Sequence, residues 1–414
     1  LPKNNTSVVV TGLGALTPVG NDVPTTWAAL LEGRSGINRI TRFDPSPFET
    51  QIAGEVKGFD PQEHFDRKEA RRLDRFVQFA VVATRQALND ARLTINADNA
   101  ERVGVVIGTA VGGIETLLTE FEKLQARGPR RLSPFFLPMM IPDTAPGQVA
   151  ISCGAKGPNM AIVSACATGS NAIGEAAEMI RRGDADAIIS GGSEASLLPI
   201  IFAGFNVMGV LSTRNDEPER ACRPFDATRD GLAMSEGASI LILESLEHAT
   251  RRGARIYGEI VGYGTTADAA DMAAPAEGGE GMARAMSLAL QQAGIRPEEV
   301  GYINAHGTGT ALNDVSETAA IKAVFGKHAY SLAVSSTKSM MGHLMGAAGA
   351  VEAIACLKAL QDQIIPATIN YQHPDPQCDL DYVPNEARPC QLRVVMSNSM
   401  GLGGHNACLI FRKL

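Results

Sequence analysis

Paired cysteines are the first thing this sequence lacks. Its seven cysteines, Cys153, Cys166, Cys222, Cys356, Cys378, Cys390 and Cys408, are odd in number, and no two stand as CxxC. That pattern excludes a disulfide framework and points to a reducing compartment, the cytoplasm. No HxxxH or HxH occurs, so the spacing signals of a metal site are missing as well. No stretch reaches the roughly 18 apolar residues of a membrane span. The polar lead LPKNNTS carries no apolar signal core, and a soluble protein is expected. A formal charge of -8 argues against a general nucleic-acid binder, though not against a local basic patch. No GxGxxG opens a helix after the first apolar run, and TGLGALTPVG (11–20) has no Lys-Ser/Thr, which sets a nucleotide loop aside. Aromatics are sparse at 5%, and no linker or low-complexity segment divides the chain.

What is present is an alternation of β-like apolar runs with amphipathic helical stretches, the mark of an α/β sheet with helical cover. Strands are expected at 7–14, 102–109, 161–165, 187–193, 239–245, 256–264, 299–307, 332–337 and 407–413. The 42 glycines suit close packing and tight turns. Two passages, 87–113 and 289–310, both read as helix end, turn, strand and glycine-rich loop. Two more, 163–180 and 334–357, both read as strand, loop and a helix rich in small residues. The copies keep their order, which predicts an internal duplication with its seam near EHATRRGAR (247–255). The halves are placed at 1–252 and 253–414.

The chemistry gathers in these repeated units. VSACATGSNAIG (163–174) sets Cys166 between an apolar run and a helix, among side chains too small to cover it. A helix N-terminus favours thiolate, as a covalent nucleophile requires. A buried structural cysteine is the competing reading. NAHGTGT (304–310) puts His306 in a glycine-rich loop at a strand end. SSTKSMMGHLMGAAGA (335–350) puts Lys338 and His343 before a helix of glycine and alanine. One cysteine with two histidines and no metal spacing fits acyl-group chemistry, the sulfur accepting the acyl group and the imidazoles donating hydrogen bonds. The glycines of SNSMGLGGHNACLIF (397–411) form a loop before the last strand, free to approach a substrate or simply flexible.

Taken together and in this order, SACATGSNAIG, NAHGTGTALND, VSSTKSMMGHLMGAAGAVEA and SNSMGLGGHN resemble the β-ketoacyl-acyl carrier protein synthases, over nearly the whole chain. The likeness is greatest to the type II condensing enzymes of dissociated bacterial fatty-acid synthesis. The resemblance implies the thiolase fold, a duplicated α/β half in five αβαβα layers. It also implies decarboxylative condensation of an acyl group with malonyl-acyl carrier protein to give 3-oxoacyl-acyl carrier protein. By the family pattern Cys166 is the nucleophile, His306 and His343 are the paired imidazoles, Lys338 is their supporting cation and Glu352 a structural glutamate. Backbone amides of Cys166 and Leu402 form the oxyanion hole, and Thr308 and Thr310 hold the carrier's phosphopantetheine arm. Val111, Met400 and Leu402 line or gate the acyl pocket. The family implies a homodimer, which fits the apolar run 131–142, and no cofactor beyond the pantetheine on the carrier. Arg67, Lys68, Arg71, Arg72, Arg130 and Arg131 are expected to dock the acidic carrier, or to be a solvated face. An ion near Asn304, Glu352, Ser397 and Asn398 is conceivable, but no metal is required.

Several positions depart from the family. Met400 and Leu402 replace phenylalanines, 231–238 reads GLAMSEGA where the family has GFVMGEGA, Asp271 and Ala273 replace His and Thr, and Met341 and Met345 flank His343. These changes suggest an altered acyl pocket and leave open a specialised ketosynthase of a polyketide or unusual-lipid pathway. A non-catalytic chain-length partner would lack the nucleophile, and Cys166 is present. A cysteine hydrolase has no need of two histidines in matching loops.

Overall fold

The computed structural model describes residues 6–414; the first five residues of the polar lead lie outside the described residues. Ten strands form one sheet. In chain order they are β1 (Val8–Leu16), β2 (Val103–Gly108), β3 (Asn159–Met160), β4 (Ala187–Glu194) and β5 (Gly237–Ser245), then β6 (Gly258–Ala267), β7 (Tyr302–Asn304), β8 (Ala333–Ser335), β9 (Val394–Gly401) and β10 (His405–Arg412). Their spatial order is β8-β7-β9-β10-β6-β1-β5-β4-β2-β3. Counted outward from the middle, β1-β5-β4-β2-β3 is matched by β6-β10-β9-β7-β8, the same path taken twice. The hydrogen-bonding directions match too: β2 is parallel to β3 and β4, as β7 is to β8 and β9, and the remaining pairs are antiparallel. The copies join where β1 and β6 run antiparallel, Val8 facing Ile260.

Helices fill the faces in a matching way. Label as α1 Arg75–Ala91, α2 Thr168–Arg182, α3 Glu280–Ala293, α4 Ala311–Phe325 and α5 Ala348–Asp362. α1 packs on β1 and β5, α3 on β6 and β10, and α2 and α5 pack together between the two half-sheets. Three apolar cores separate the layers: one under α1, one under α3 and α4, and a central one around α2 and α5. This is the five-layer arrangement of the thiolase fold. The alanine- and glycine-rich faces of α2 and α5 let the central helices approach closely. A Cβ on Gly349 would stand 2.3 Å from Ser170 Oγ, and one on Gly169 2.7 Å from the Ala350 amide.

Two expectations need correction. Residues 161–165 are not a strand; pairing ends at Met160, and Ala165–Ala167 is a short 3-10 turn leading into α2. The passage 397–401, expected as a glycine loop, is instead the end of β9, and only Leu402–Gly404 turn toward β10. Ser397 and Asn398 lie within the sheet, where burial on both faces replaces the polar–apolar alternation that marks an exposed strand. Among the described residues no helix is long and apolar enough to cross a membrane.

A buried ionic cluster lies within the first copy, joining β1, β5 and the end of α1. Arg252 Nε donates to Glu244 Oε2 at 2.8 Å, and Thr11 and His248 also contact this carboxylate. The same arginine caps the Ala91 carbonyl at the end of α1. Burial opposes ionisation, but hydrogen bonds from Arg252, His248 and Thr11 hold Glu244 down at about 2, against an ordinary 4.5. A depressed carboxylate contributes stability that is full above its unfolded pKa and lost as pH falls through its folded one. Acid unfolding followed by circular dichroism should therefore lose stability from about pH 4.5 toward 2. Glu244→Gln should flatten that slope and cost about 3–5 kcal/mol at neutral pH, the penalty for breaking a buried ion pair. An unchanged acid slope would contradict the assignment.

Candidate active site

Two left-handed residues mark the places where chain direction reverses into the central helices. Ala165 and Met345 both have φ of 49°, each opening a 3-10 turn before a 15-residue helix, α2 or α5. An L-residue held there stores on the order of 1 kcal/mol of strain. In the first copy the turn carries Cys166. Its side chain is buried, only 7% exposed, which differs from the open thiol expected from its small neighbours. The cover comes from elsewhere in the chain, where the cavity wall includes His306, His343, Met400 and Leu402.

Burial pushes the Cys166 thiol up to about 11, against the pull of the Lys338 charge and the Leu402 amide, which points at the sulfur. The N-terminus of α2 contributes at most ~2 kcal/mol toward thiolate, about one and a half pKa units. The free protein therefore holds mostly thiol at neutral pH, and the thiolate expected from the helix end alone does not prevail.

His306 follows β7 and His343 precedes the second turn. Their rings lie 5.2 Å apart, centroid to centroid, and stand 82° to each other. Both are almost fully buried. Burial, reinforced by the Lys338 charge, holds both well below the ordinary histidine value, so both are neutral. Their tautomers follow from their partners. His343 Nδ1 accepts the Met345 amide at 3.2 Å, and His306 Nδ1 faces the Lys338 ammonium at 3.3 Å. With Nδ1 an acceptor in each ring, the proton stands on Nε2 in each.

Lys338 is enclosed on every side. Its ammonium also donates to the His306 carbonyl at 2.7 Å and to Glu352 Oε1. Burial pushes Glu352 up to about 7, opposed by Lys338. Behind this pair, the Asn304 side chain, Glu352 Oε2, Ser397 Oγ and Asn398 Oδ1 are buried without hydrogen-bond partners. Asn304 and Ser397 are register partners on β7 and β9, and the oxygens are of the kind a hard cation takes. Among the described residues no group of three or more His, Cys, Asp or Glu is arranged to hold a metal ion.

A cavity of about 380 Å³ opens onto these groups. Cys166, His306, His343, Thr308, Thr310, Met400 and Leu402 all line it. The two threonine hydroxyls are 3.0 Å apart. Gly401 packs on the nucleophile's turn, a Cβ there falling 3.1 Å from the Cys166 nitrogen, and the Leu402 amide that follows it points at the Cys166 sulfur. Val111 is not in this wall; it stands in the loop after β2. Arg67, Lys68, Arg71, Arg72, Arg130 and Arg131 are all exposed and none is in an ion pair among the described residues. Arg72 lies over the Phe135 ring, 4.2 Å from its centre, which joins the 67–72 and 130–135 segments on one surface.

Two features had not been anticipated. Glu317 on α4 accepts the His306 and Gly307 amides, each at 2.8 Å, and so clamps the histidine's loop. Nothing in the helical pattern of 311–325 distinguishes this buried carboxylate from a surface one. The exposed part of the cavity wall also includes two apolar side chains, Met208 and Leu312.

The family models for the N-terminal and C-terminal domains of β-ketoacyl synthase match residues 5–249 and 257–372. The chain is 56% identical over 411 residues to the 3-oxoacyl-[acyl-carrier-protein] synthase 2 of Staphylococcus aureus strain COL, covering 99% of each. It superposes on a β-ketoacyl synthase of Burkholderia phymatum STM815 with a TM-score of 0.92 at 37% identity, covering 99% of this chain and 100% of that one. A type II polyketide ketosynthase, solved in complex with its acyl carrier protein, gives a TM-score of 0.91 at 35% identity, with 99% of each chain covered. This chain belongs to the β-ketoacyl synthase family. It is an acyltransferase of the condensing kind.

The sulfur's environment yields a direct test. Alkylation of Cys166 by a neutral reagent should rise about tenfold per pH unit from pH 7 to 9, as expected for a thiol titrating far above that range. Lys338→Met should slow it at each pH, because Lys338 favours the thiolate. A plateau below pH 8 would contradict this.

Proposed function

We propose that Cys166 takes an acyl group from an acyl carrier protein and condenses it with malonyl-carrier to give 3-oxoacyl-carrier. The observation that carries this reading is the pair of neutral rings, each with Nδ1 occupied and Nε2–H left to donate, beside the sulfur in one cavity. In the first stage the sulfur attacks the thioester carbonyl. The adduct's oxygen is met by the Cys166 and Leu402 amides, the pantetheine C–S bond breaks, and the thiol's proton ends on the departing sulfur. In the second stage malonyl-carrier loses CO2, and the C–C bonding pair becomes an enolate whose oxygen accepts from His306 and His343 Nε2–H. A neutral donor suits this role because it stabilises the enolate without protonating its carbon. That carbon attacks the acyl-cysteine, the C–S bond breaks, and the Cys166 sulfur leaves as thiolate and takes a proton from solvent to restore the thiol.

Thr308 and Thr310 on the cavity wall would receive the pantetheine arm; the enzyme then needs no cofactor of its own. Met400 and Leu402 would shape the acyl pocket where it meets this cavity, and Val111, outside the cavity wall, would line its far end by the family pattern. The two halves, 1–252 and 253–414, would act as one ketosynthase domain in the cytoplasm. Six exposed basic side chains, outside any ion pair among the described residues, support docking of an acidic carrier. A homodimer is supported by the two-residue strand β3, exposed at the sheet's edge, and by Leu137, Ile151 and Val163, which are exposed nearby in the chain. A specialised ketosynthase is the second reading, favoured by Met400 and Leu402 in the cavity wall.

His306→Ala and His343→Ala should each keep acyl transfer to Cys166, read by mass spectrometry. Each should lose malonyl decarboxylation by about 10²-fold or more, the usual cost of a deleted oxyanion donor. Unchanged condensation in either variant would refute the roles. For docking, the KM for carrier should rise with salt in the wild type, and charge reversal at Arg71 and Arg130 should remove most of that dependence. A salt-independent KM would remove the docking assignment. An ordinary long-chain preference across a panel of acyl-carriers would remove the specialised reading.

A further inference from the structure

The duplication supplies a second copy of the nucleophile's turn, and the structure shows what fills it. Met345–Ala347 and α5 repeat Ala165–Ala167 and α2 at a constant offset, so Gly346 stands where Cys166 stands in the first copy. β4 and β9 are likewise both eight residues long. Their last residues, Glu194 and Gly401, pair with the first residues of the next strands, Gly237 and His405. In the first copy Gly401, with no side chain, packs against the Cys166 amide, where a Cβ would fall 3.1 Å from the nitrogen. In the second, the Glu194 carboxylate occupies the equivalent place. Its Oε2 accepts the Ala110 amide at 2.7 Å and the Gly346 amide at 3.3 Å, and Oε1 meets Thr109 Oγ1 at 3.3 Å. No side chain fits at Gly346: a Cβ there would stand 2.4 Å from the Ala110 nitrogen and 2.8 Å from Glu194 Oε2.

The sealed turn still has work, because the residue before Gly346 is Met345, whose amide donates to His343 Nδ1. We propose that Glu194 is a positioning residue for His343. By holding the Gly346 amide against the Ala110 loop, it fixes the left-handed Met345, whose amide in turn keeps the His343 proton on Nε2. Glu194 does not line the reaction cavity and so acts through the turn. Without it the buried Gly346 amide and the half-buried Ala110 amide lose their acceptor, the Met345 turn relaxes, and the ring is free to rotate or change tautomer. Burial raises this carboxyl to about 7, opposed by the Ala110 and Gly346 amides. A neutral glutamine, whose amide oxygen accepts in the same place, is therefore a fair substitute.

The inference rests on the two-stage reaction proposed above, and the two stages separate its test from that reading. Glu194→Ala and Glu194→Asp, the latter too short to reach both amides, should transfer acyl groups to Cys166 within about threefold of wild type. Both should release CO2 from malonyl-carrier about 10²-fold more slowly, the scale of one lost oxyanion donor. Glu194→Gln should recover to within about threefold. Should the alanine variant not fold, the aspartate and glutamine variants decide. Decarboxylation near wild type in Glu194→Asp would overturn the assignment. So would acylation and decarboxylation falling in parallel, since that marks a merely structural residue. A wild-type enzyme that acylates Cys166 yet releases no CO2 would instead overturn the underlying reaction.

Discussion

The ammonium of Lys338 has almost no contact with water, and its partners leave it nowhere to go: one carboxylate oxygen of Glu352, the backbone oxygen of His306 and that residue's Nδ1. A charge in such a place is tolerated only with partners of this quality. Its field reaches every reacting group. It makes a second positive charge on either imidazole unfavourable, and it draws the Cys166 sulfur toward thiolate. One buried cation thus reinforces burial in keeping two donors neutral and works against burial at one nucleophile, without itself facing substrate.

The rest of the molecule serves to bring that charge and its neighbours to one point. Sulfur comes from the first copy of the fold, and both rings and the ammonium come from the second. The central helices α2 and α5 pack closely enough, through glycine and alanine, for the two copies to share a single cavity. Buried carboxylates then act as fasteners rather than reagents. Glu317 clamps the His306 loop, and Glu244 ties β5 to Arg252. Each accepts hydrogen bonds whose loss would leave buried donors unpaired, which favours one arrangement over looser ones.

Much of this was legible in the sequence because its signals are local. Cys166, His306, Lys338 and His343 stand in short stretches of small residues that packing alone does not call for, and the repeated order of those stretches indicated two copies of one fold. What the sequence could not give depends on distant contacts. The cover over Cys166 comes from residues more than a hundred positions away, so a thiol that looks open along the chain is buried in the fold. β9 was hidden because it is buried on both faces and ends in glycine. Glu317 and Glu194 look like ordinary acidic residues until the amides they accept are seen. The departures at Met400 and Leu402 were visible, and both residues stand in the cavity wall.

The central claim is that Lys338 and the Met345 amide keep both rings neutral with the proton on Nε2. Nitrogen NMR of the imidazoles of His306 and His343 in the intact protein tests it most directly. Both should show the neutral Nε2–H tautomer, with no titration between pH 6 and 8. An imidazolium, or a proton on Nδ1 of either ring, would contradict the account.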